Sequence, residues 1–288
     1  MDGIPLMEIF GTYNAWKVDE KTWFINFMGG SQNMYLLEGD EKALLIDTGF
    51  GAGNLLGFVE KLTDKPLLVV NTHFHPDHIA GNGEFPKVYM SKNAMLDEPS
   101  VGFAISIGII PFDIENVPYP NYEKVFIEEG FVFDLGNRKV EVLDTKPSHC
   151  NSSLLFLDRK HRMLFCGDEA ESAQVNLFDN SYNPEIEYIV KDRLLNFKDT
   201  MLKMKSLDSE YDMLLPNHNG FPISKTYLDS FVGLVDGIFD GTALIEDKLN
   251  HKYLEMDPKA SKLCRVRWKD ASIFIEKDEV MKVYGKGI

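Results

Sequence analysis

Residues 67–78 of the chain read LLVVNTHFHPDH, an apolar run that ends in three histidines and one aspartate. His73 and His75 are two residues apart. In an extended chain the side chains of residues i and i+2 point the same way, so both imidazoles can face one metal ion. Asp77 and His78 follow a proline, where the chain must turn, and can therefore face a second ion beside the first. The stretch predicts a metal site at the end of a β-strand.

Three more residues of ligand type follow apolar segments further along the chain: His149, Asp168 and His218. Taken singly, each would more often be a loop, core or capping residue than a ligand. Because they occur behind a complete His-x-His-x-Asp-His motif, a shared metal site is the better interpretation. Five of the seven histidines then belong to one pattern. His161, in a charged turn, is expected to be solvated, and His251, in a polar stretch, is assigned no role.

From residue 26 to residue 220 the chain resembles the metallo-β-lactamase superfamily of binuclear metallohydrolases. Besides the ligands, the resemblance rests on four segments, 33–39, 43–49, 165–168 and 216–220. It implies two divalent metal ions, zinc by preference, with iron or manganese as alternatives. The resemblance assigns His73, His75 and His149 to metal 1, Asp77, His78 and His218 to metal 2, and Asp168 to a bridge between them. One departure from the family is Ser148, because the family usually has glycine before the third histidine.

The order of predicted elements indicates the fold class. Apolar runs at 34–37, 43–46 and 67–72 predict strands, and helical spacing at 55–62 predicts a helix between them. Ligands at strand ends, alternating with helices, indicate an α/β fold of two mixed β-sheets flanked by helices, the αββα sandwich that the family has. We expect a catalytic domain over residues 1–220. Residues 221–288 are expected to add a helix and a hairpin, turning at Lys269, that pack on it.

Two further segments lie outside this pattern of strands. The first has two alternative roles, and the second predicts a helix. Residues 95–129 are rich in apolar side chains, and either cover the core or form a pocket wall with Phe103, Ile107 or Phe112 near the metals. Asn183 and Pro184 are typical of a helix start. The apolar face of the helix that follows is predicted to contain Ile186, Ile189, Val190, Leu194, Phe197, Met201 and Met204.

Composition excludes several classes of partner. The net charge of −15 and a pI near 4.9 are unfavourable for nucleic acid, which needs a basic surface. The sequence predicts no membrane-spanning helix and no signal peptide. Three widely spaced cysteines are typical of a reduced, cytoplasmic protein, in which Cys150 is expected to be a buried free thiol. The expected partner is a small-molecule substrate, with a homodimer as a possible assembly.

The expected chemistry is hydrolysis. Two adjacent metal ions lower the pKa of a bridging water, and the hydroxide can attack an electrophilic carbonyl or phosphorus atom. The resemblance implies that Asp77, besides binding metal, carries the proton to the leaving group. Asp47, at a strand end, is expected to orient a metal ligand.

The ligand set also separates the subfamilies. True β-lactamases typically lack the bridging aspartate, whereas glyoxalase II and the acylhomoserine lactonases have all seven ligands. Lactonases have tyrosine three residues after the bridge, where this chain has Glu171, and Tyr182 is the alternative tyrosine for the site. We therefore expect a hydrolase of an ester, thioester or lactone. The alternatives are an oxidoreductase resembling the mononuclear iron persulfide dioxygenases, a phosphodiesterase, and a binding protein without catalysis.

Overall fold

The computed structural model describes residues 3–8, 11–27, 32–51, 53–96, 120–172, 174–178, 187–246 and 262–288. Within these ranges the chain forms three β-sheets with helices on the outside. Several residues of the sequence predictions lie outside the described residues: Phe103, Ile107, Phe112, Tyr182, Asn183, Pro184, Ile186 and His251. No helix of the described ranges is both long enough and apolar enough to cross a membrane.

The first sheet has eight strands, which pair in the order in which they occur in the chain. They are β1 (Gly3–Glu8), β2 (Gly11–Asp19), β3 (Thr22–Phe27), β4 (Asn33–Glu38), β5 (Ala43–Ile46), β6 (Leu67–Val70), β7 (Lys87–Ser91) and β8 (Glu123–Ile127). Strands β1 to β5 pair antiparallel, and β5 to β8 pair parallel. The carboxyl ends of β5 and β6 therefore lie side by side.

The second sheet has five strands, in which β12 pairs parallel with the edge strand β14. Its members are β9 (Val132–Asp134), β10 (Lys139–Asp144), β11 (Leu154–Asp158), β12 (Met163–Gly167) and β14 (Met213–Pro216). The remaining pairs are antiparallel, including the predicted hairpin of β11 and β12. The carboxyl ends of β12 and β14 are thus neighbours, as are those of β5 and β6.

The two sheets pack face to face because their central strands are apolar on both faces. Side chains from both sheets fill the core between them, among them Tyr35, Leu37, Leu44, Ile46, Phe156, Phe165 and Leu215. The alternate residues of β4 and β5, such as Leu36 and Leu45, point to the opposite face and pack against helix α1 (Leu55–Val59). The sequence prediction of an αββα sandwich is confirmed.

Helices α3 (Val190–Ser206) and α4 (Thr226–Asp240) cover the outer face of the second sheet. The predicted apolar face of α3 is buried from Val190 to Met204, but Ile189 is 43% exposed. The prediction for Ile189 was wrong because this residue precedes the first helical turn, where the 3.6-residue period does not apply. The other helices are α2 (Pro76–Ile79) and α5 (Lys277–Val280), with short 3₁₀ turns at Ala80–Glu84 and Ala94–Leu96.

The predicted C-terminal hairpin is confirmed and belongs to a third sheet. Strands β16 (Leu263–Trp268) and β17 (Ala271–Glu276) pair around Lys269 and Asp270. Two short strands extend the pair, β15 (Leu244–Glu246) on one side and β13 (Val175–Asn176) on the other. Cys264, Val266 and Ile273 share one core with α3 and α4. The sequence did not predict β13, which has only two residues.

Candidate metal centre

The seven predicted ligands meet at one end of the sandwich, where several strands finish. His73 follows β6, Asp168 follows β12 directly, and His218 lies two residues after β14. The sheets are joined at this end by backbone hydrogen bonds, from Leu154 N to Thr72 O (2.7 Å) and from Asn33 N to Asn217 O (2.7 Å). The fold therefore fixes the relative positions of loops that are far apart in sequence.

Asp77 and His78 lie in the short helix α2 rather than in an open turn. Pro76 occupies its first helical position, where a missing N–H has no cost and the fixed φ favours the helix. The sequence prediction of a turn was too simple, because a proline that ends a strand can also begin a helix. The helix points both side chains toward the residues that follow β6 and β14, with the Nε2 atom of His78 3.2 Å from that of His218.

A first group of three imidazoles is deeply buried. The Nδ1 atom of His75 lies 2.9 Å from Nε2 of His73 and 3.0 Å from Nε2 of His149. The exposed fractions of these residues are 2%, 8% and 3% for His73, His75 and His149. Burial lowers the pKa of His75 and of His149 to about 4. The three rings are therefore neutral at neutral pH, with lone pairs directed at a common point.

A second group consists of Asp77, His78 and His218. The Oδ2 atom of Asp77 lies 3.1 Å from Nε2 of His218 and 3.5 Å from Nε2 of His78. Burial opposes a positive charge on His218, but the Asp168 and Asp77 carboxylates outweigh it and raise its pKa to about 9. This end of the site favours positive charge, which a divalent cation would supply.

Asp168 lies between the two groups. Its Oδ2 atom is 3.7 Å from Nε2 of His73 and 3.6 Å from Nε2 of His149 in the first group. The same atom is 3.3 Å from Nε2 of His78 and 3.4 Å from Nε2 of His218 in the second. One carboxylate oxygen thus faces both groups at similar distances. Its other oxygen, Oδ1, is buried and has no hydrogen-bond partner among the described residues.

The donor set fits divalent cations. Each of three groups of side chains has ligand atoms within 4.8 Å of one another: His73, His75 and His149; His73, His78 and Asp168; Asp77, His78 and His218. Neutral imidazole nitrogens and carboxylate oxygens are ligands that zinc, iron and manganese all accept. A cation beside Asp168 would also interact with its buried carboxylate oxygens. Burial of a polar atom without such a partner costs free energy of folding.

Asp47 orients His78, as the sequence predicted. Its fully buried carboxylate accepts hydrogen bonds from His78 Nδ1 at 2.8 Å and from Asn217 Nδ2 at 2.7 Å. The N–H and Oγ1 atoms of Thr72 donate to the same carboxylate, each at 2.7 Å. With Nδ1 bonded to Asp47, the Nε2 atom of His78 is left free for a ligand.

Sequence reasoning missed other residues that support the ligands. The carbonyl of Asn176 in β13 accepts a hydrogen bond from His149 Nδ1 at 2.8 Å, which directs Nε2 into the site. Thr72 Oγ1 lies 3.0 Å from His73 Nδ1. Thr72 could have been noticed as a polar residue directly before the motif, but the backbone contact of Asn176 has no side-chain signal in the sequence.

The sequence analysis also named Cys150, Glu171 and His161, none of which is among the seven candidate ligands. Cys150 is buried and lies 3.1 Å from Ser153 Oγ, which confirms the prediction of a buried thiol. Glu171 is buried and accepts a hydrogen bond from Asn219 Nδ2 at 2.5 Å. The prediction that His161 is solvated was wrong. Its Nδ1 atom forms a hydrogen bond of 2.6 Å with Oδ2 of Asp19, which lies in the distant strand β2.

Comparisons with known proteins agree with this geometry. A model of the metallo-beta-lactamase superfamily matches residues 28–209. The chain is 26% identical over 208 residues to acyl-coenzyme A thioesterase MBLAC2 of Gallus gallus, which aligns 64% of this chain with 74% of that protein. It is 28% identical over 156 residues to hydroxyacylglutathione hydrolase of Francisella philomiragia. That alignment covers 54% of this chain and only 53% of the Francisella protein.

A solved structure has the same architecture. The metallo-beta-lactamase from Pontibacter korlensis superposes with a TM-score of 0.56 at 17% sequence identity, covering 78% of this chain and 99% of that one. At this identity the likeness concerns the fold alone. The family model, by contrast, matches well over half of the sequence, and its range includes six of the seven predicted ligands. The chain belongs to the metallo-β-lactamase superfamily.

Proposed function

We propose that the chain is a metal-dependent hydrolase that cleaves an acyl thioester of a small molecule. The observation that carries the proposal is the position of Asp168 Oδ2, within 3.7 Å of imidazole nitrogens from both ligand groups. Such an arrangement suits a carboxylate that bridges two cations. Two curated relatives are named as an acyl-coenzyme A thioesterase and a hydroxyacylglutathione hydrolase, and both names denote hydrolysis of a thioester.

In this proposal the seven side chains hold two divalent cations. His73, His75 and His149 would hold one, Asp77, His78 and His218 the other, and Asp168 would bridge them. Bound there, the cations would activate a water and polarise the carbonyl oxygen of the substrate. We propose zinc, since three imidazoles at one position are a common zinc ligand set, although the same ligands accept iron and manganese.

Asp77 has the position expected of a proton carrier. Its side chain is 22% exposed, compared with 13% for His218 and 7% for Asp168. We therefore expect a substrate to approach from the side of Asp77 and His218, the two most exposed of these three side chains. Because the carboxylate of Asp77 is accessible from that side, it can accept a proton from the attacking water and deliver it to the leaving group.

The residue three positions after Asp168 favours a thioester over a lactone. The lactonases of the family have a tyrosine there, whereas this chain has Glu171, which is directed to Asn219. A thiol has a pKa of about 8.5, so a thiolate leaves with little help from an acid. An alkoxide is far more basic and needs a proton donor as it leaves. A thioester therefore depends less than a lactone does on a proton donor beside its leaving group.

Matched substrates test the proposal. We expect the zinc-loaded protein to hydrolyse an acyl thioester faster than the oxygen ester with the same acyl group. Asp168→Ala should reduce kcat/KM by at least about a hundredfold, because loss of a bridging ligand costs more than loss of an outer partner. Asp199→Ala, which removes an exposed carboxylate on α3 that pairs with Lys146, serves as the matched control and should change nothing.

Three outcomes would contradict the proposed function. Hydrolysis that survives both chelation and Asp168→Ala would exclude a bridged metal mechanism. Preference for the oxygen ester would exclude a thioesterase. One equivalent of iron, together with oxygen consumption in place of hydrolysis, would instead indicate a mononuclear oxidoreductase.

A further inference from the structure

We propose that Ser148, Glu169 and Arg193 form a positioning clasp, which holds the loop of His149 against the loop of Asp168. The inference rests on the metal centre proposed above and concerns residues that are not among the seven proposed ligands. Ser148 directly precedes one ligand, and Glu169 directly follows another. A bond between these two residues therefore couples the first ligand group to the bridging carboxylate.

The first contact of the clasp joins two ligand-bearing loops. Ser148 Oγ donates a hydrogen bond to Glu169 Oε2 at 2.5 Å. Ser148 is 1% exposed and Glu169 is fully buried, so water does not compete for the bond. A buried hydrogen bond of this kind is costly to break, because its donor and acceptor would be left without any other partner. Glycine at this position could not make the contact, because the contact is made by the serine hydroxyl.

The second contact joins the His149 loop to helix α3. The guanidinium of Arg193 donates from Nη1 to Ser148 O at 3.0 Å and from Nη2 to Asn151 Oδ1 at 3.1 Å. Arg193 is only 7% exposed, so little water competes for these two bonds. Arg193 thus binds the loop on both sides of His149, and α3 serves as the rigid support.

The clasp restricts the one ligand of the first group that comes from the second sheet. His73 and His75 follow β6 of the first sheet, whereas His149 lies in the loop between β10 and β11. Its Nε2 atom is 3.6 Å from Asp168 Oδ2. A bound metal tolerates errors of about 0.2 Å in ligand distance, so a loop that moves more than this loses affinity. We therefore expect the clasp to act on metal affinity rather than on the reaction itself.

Binding of Co²⁺ tests the clasp, because its visible absorption reports the geometry of its ligands. Ser148→Ala removes the hydroxyl and adds no bulk. We expect the variant to bind Co²⁺ about 10–100-fold more weakly, which is the usual cost of losing an outer partner of a metal ligand. We also expect an altered absorption band for the bound ion. Competition with a chelator measures the affinity, and thermal unfolding of the metal-free protein measures stability.

Two controls separate positioning from general stability. Ser230→Ala removes a similarly buried serine whose Oγ donates to Asp270 Oδ1 at 2.6 Å in another part of the fold. This variant should lower the melting temperature by about as much as Ser148→Ala but leave Co²⁺ affinity unchanged. Glu169→Gln keeps an oxygen that can accept from Ser148, and should weaken Co²⁺ binding less than Glu169→Leu does.

The outcomes distinguish this inference from the proposed function. Equal Co²⁺ affinity and equal spectra for Ser148→Ala and the unchanged protein would overturn the clasp, even if the protein hydrolyses thioesters. Equal loss of affinity in Ser148→Ala and Ser230→Ala would overturn it as well, because the effect would then be one of stability. Weaker binding in Ser148→Ala alone supports the clasp, even if no thioester is cleaved.

Discussion

Glu171 is a buried carboxyl group beside the metal centre that is not one of the seven ligands. It is 4% exposed, and Asn219 Nδ2 donates a hydrogen bond to it. Burial, together with the negative charge of Asp168, raises the pKa of Glu171 from 4.5 to about 8. The folded chain without metal therefore binds a proton here that the unfolded chain has already lost above pH 4.5.

This raised pKa predicts a loss of stability at alkaline pH. Between pH 4.5 and about 8 the folded state of the metal-free protein holds the extra proton, so the free energy of unfolding falls as the pH rises through this window. Glu171→Gln cannot ionise and retains an acceptor for Asn219. Urea unfolding of the chelated protein at pH 6.5 and at pH 8 measures the loss of unfolding free energy between these two pH values. This loss should be smaller for the variant than for the unchanged protein. Equal losses would contradict the prediction.

At the residue scale, the sequence predicted which seven side chains meet but not which residues support them. Their meeting could be predicted because the motif is dense and the remaining three residues follow apolar strands. Asp47 could be predicted as an orienting residue because it ends a strand. Asn176 and Arg193 could not, since one acts through its backbone and the other lies 44 residues after the histidine whose loop it binds.

Among the elements, the turn between β9 and β10 fixes the two sheets to each other through Arg138. Its side chain is 2% exposed, and Nε donates to Asp158 Oδ2 at 2.6 Å in the second sheet. Nη2 donates to Thr22 Oγ1 at 2.8 Å in β3 of the first sheet, and Nη1 donates to the carbonyl of Lys21, directly before β3, at 2.7 Å. One buried cation thus connects the sheets at a single point.

Removal of this cation should destabilise the fold strongly. Arg138→Ala leaves Asp158 buried without its partner, which costs about 3–5 kcal/mol of unfolding free energy. Arg159→Ala is the matched control, because Arg159 is 41% exposed and pairs with Glu141 and Glu210 on the surface. That change should cost at most about 1 kcal/mol. Urea unfolding measures both values, and similar losses for the two variants would show that the buried pair has no special role.

Strands and helices could be predicted where their side chains repeat with a clear period. The runs at 34–37 and 43–46 are β4 and β5, and the apolar face of α3 from Val190 onward is buried. The period fails where an element ends, as at Ile189. It also fails for β13, because two residues are too few to show an alternation and its pairing with β17 depends on a segment 98 residues away.

At the scale of the whole molecule, the C-terminal part is built into the same core as the ligand-bearing sheets. β17 pairs with β13, whose Asn176 carbonyl orients His149, so the terminal hairpin supports the metal centre through one strand. Helix α4 also packs against α3. We propose that residues 221–288 are a required layer added to the catalytic part, residues 1–220, rather than a unit that folds by itself.

A chain that ends at residue 262 tests this proposal. It would lack Cys264, Val266, Ile273, Ile275 and Val280, all of which are fully buried against α3 and α4. Burying one such side chain stabilises a protein by about 1.5–3 kcal/mol, and the net stability of a domain is only about 5–15 kcal/mol. We expect the shortened chain to be unfolded by circular dichroism. Deletion of residues 286–288 alone, which removes the exposed Ile288, is the control and should leave a cooperative unfolding transition. A cooperative transition in the chain that ends at residue 262 as well would contradict the proposal.

The central claim, that seven side chains hold two metal ions about a shared aspartate, is tested most directly by anomalous diffraction from crystals of the zinc-loaded protein. We predict two zinc peaks, about 3.5–4 Å apart, each within bonding distance of Asp168. One should lie about 2.1 Å from nitrogens of His73, His75 and His149, and the other close to Asp77, His78 and His218. A single peak, or two peaks more than about 5 Å from His149 or His218, would contradict the claim.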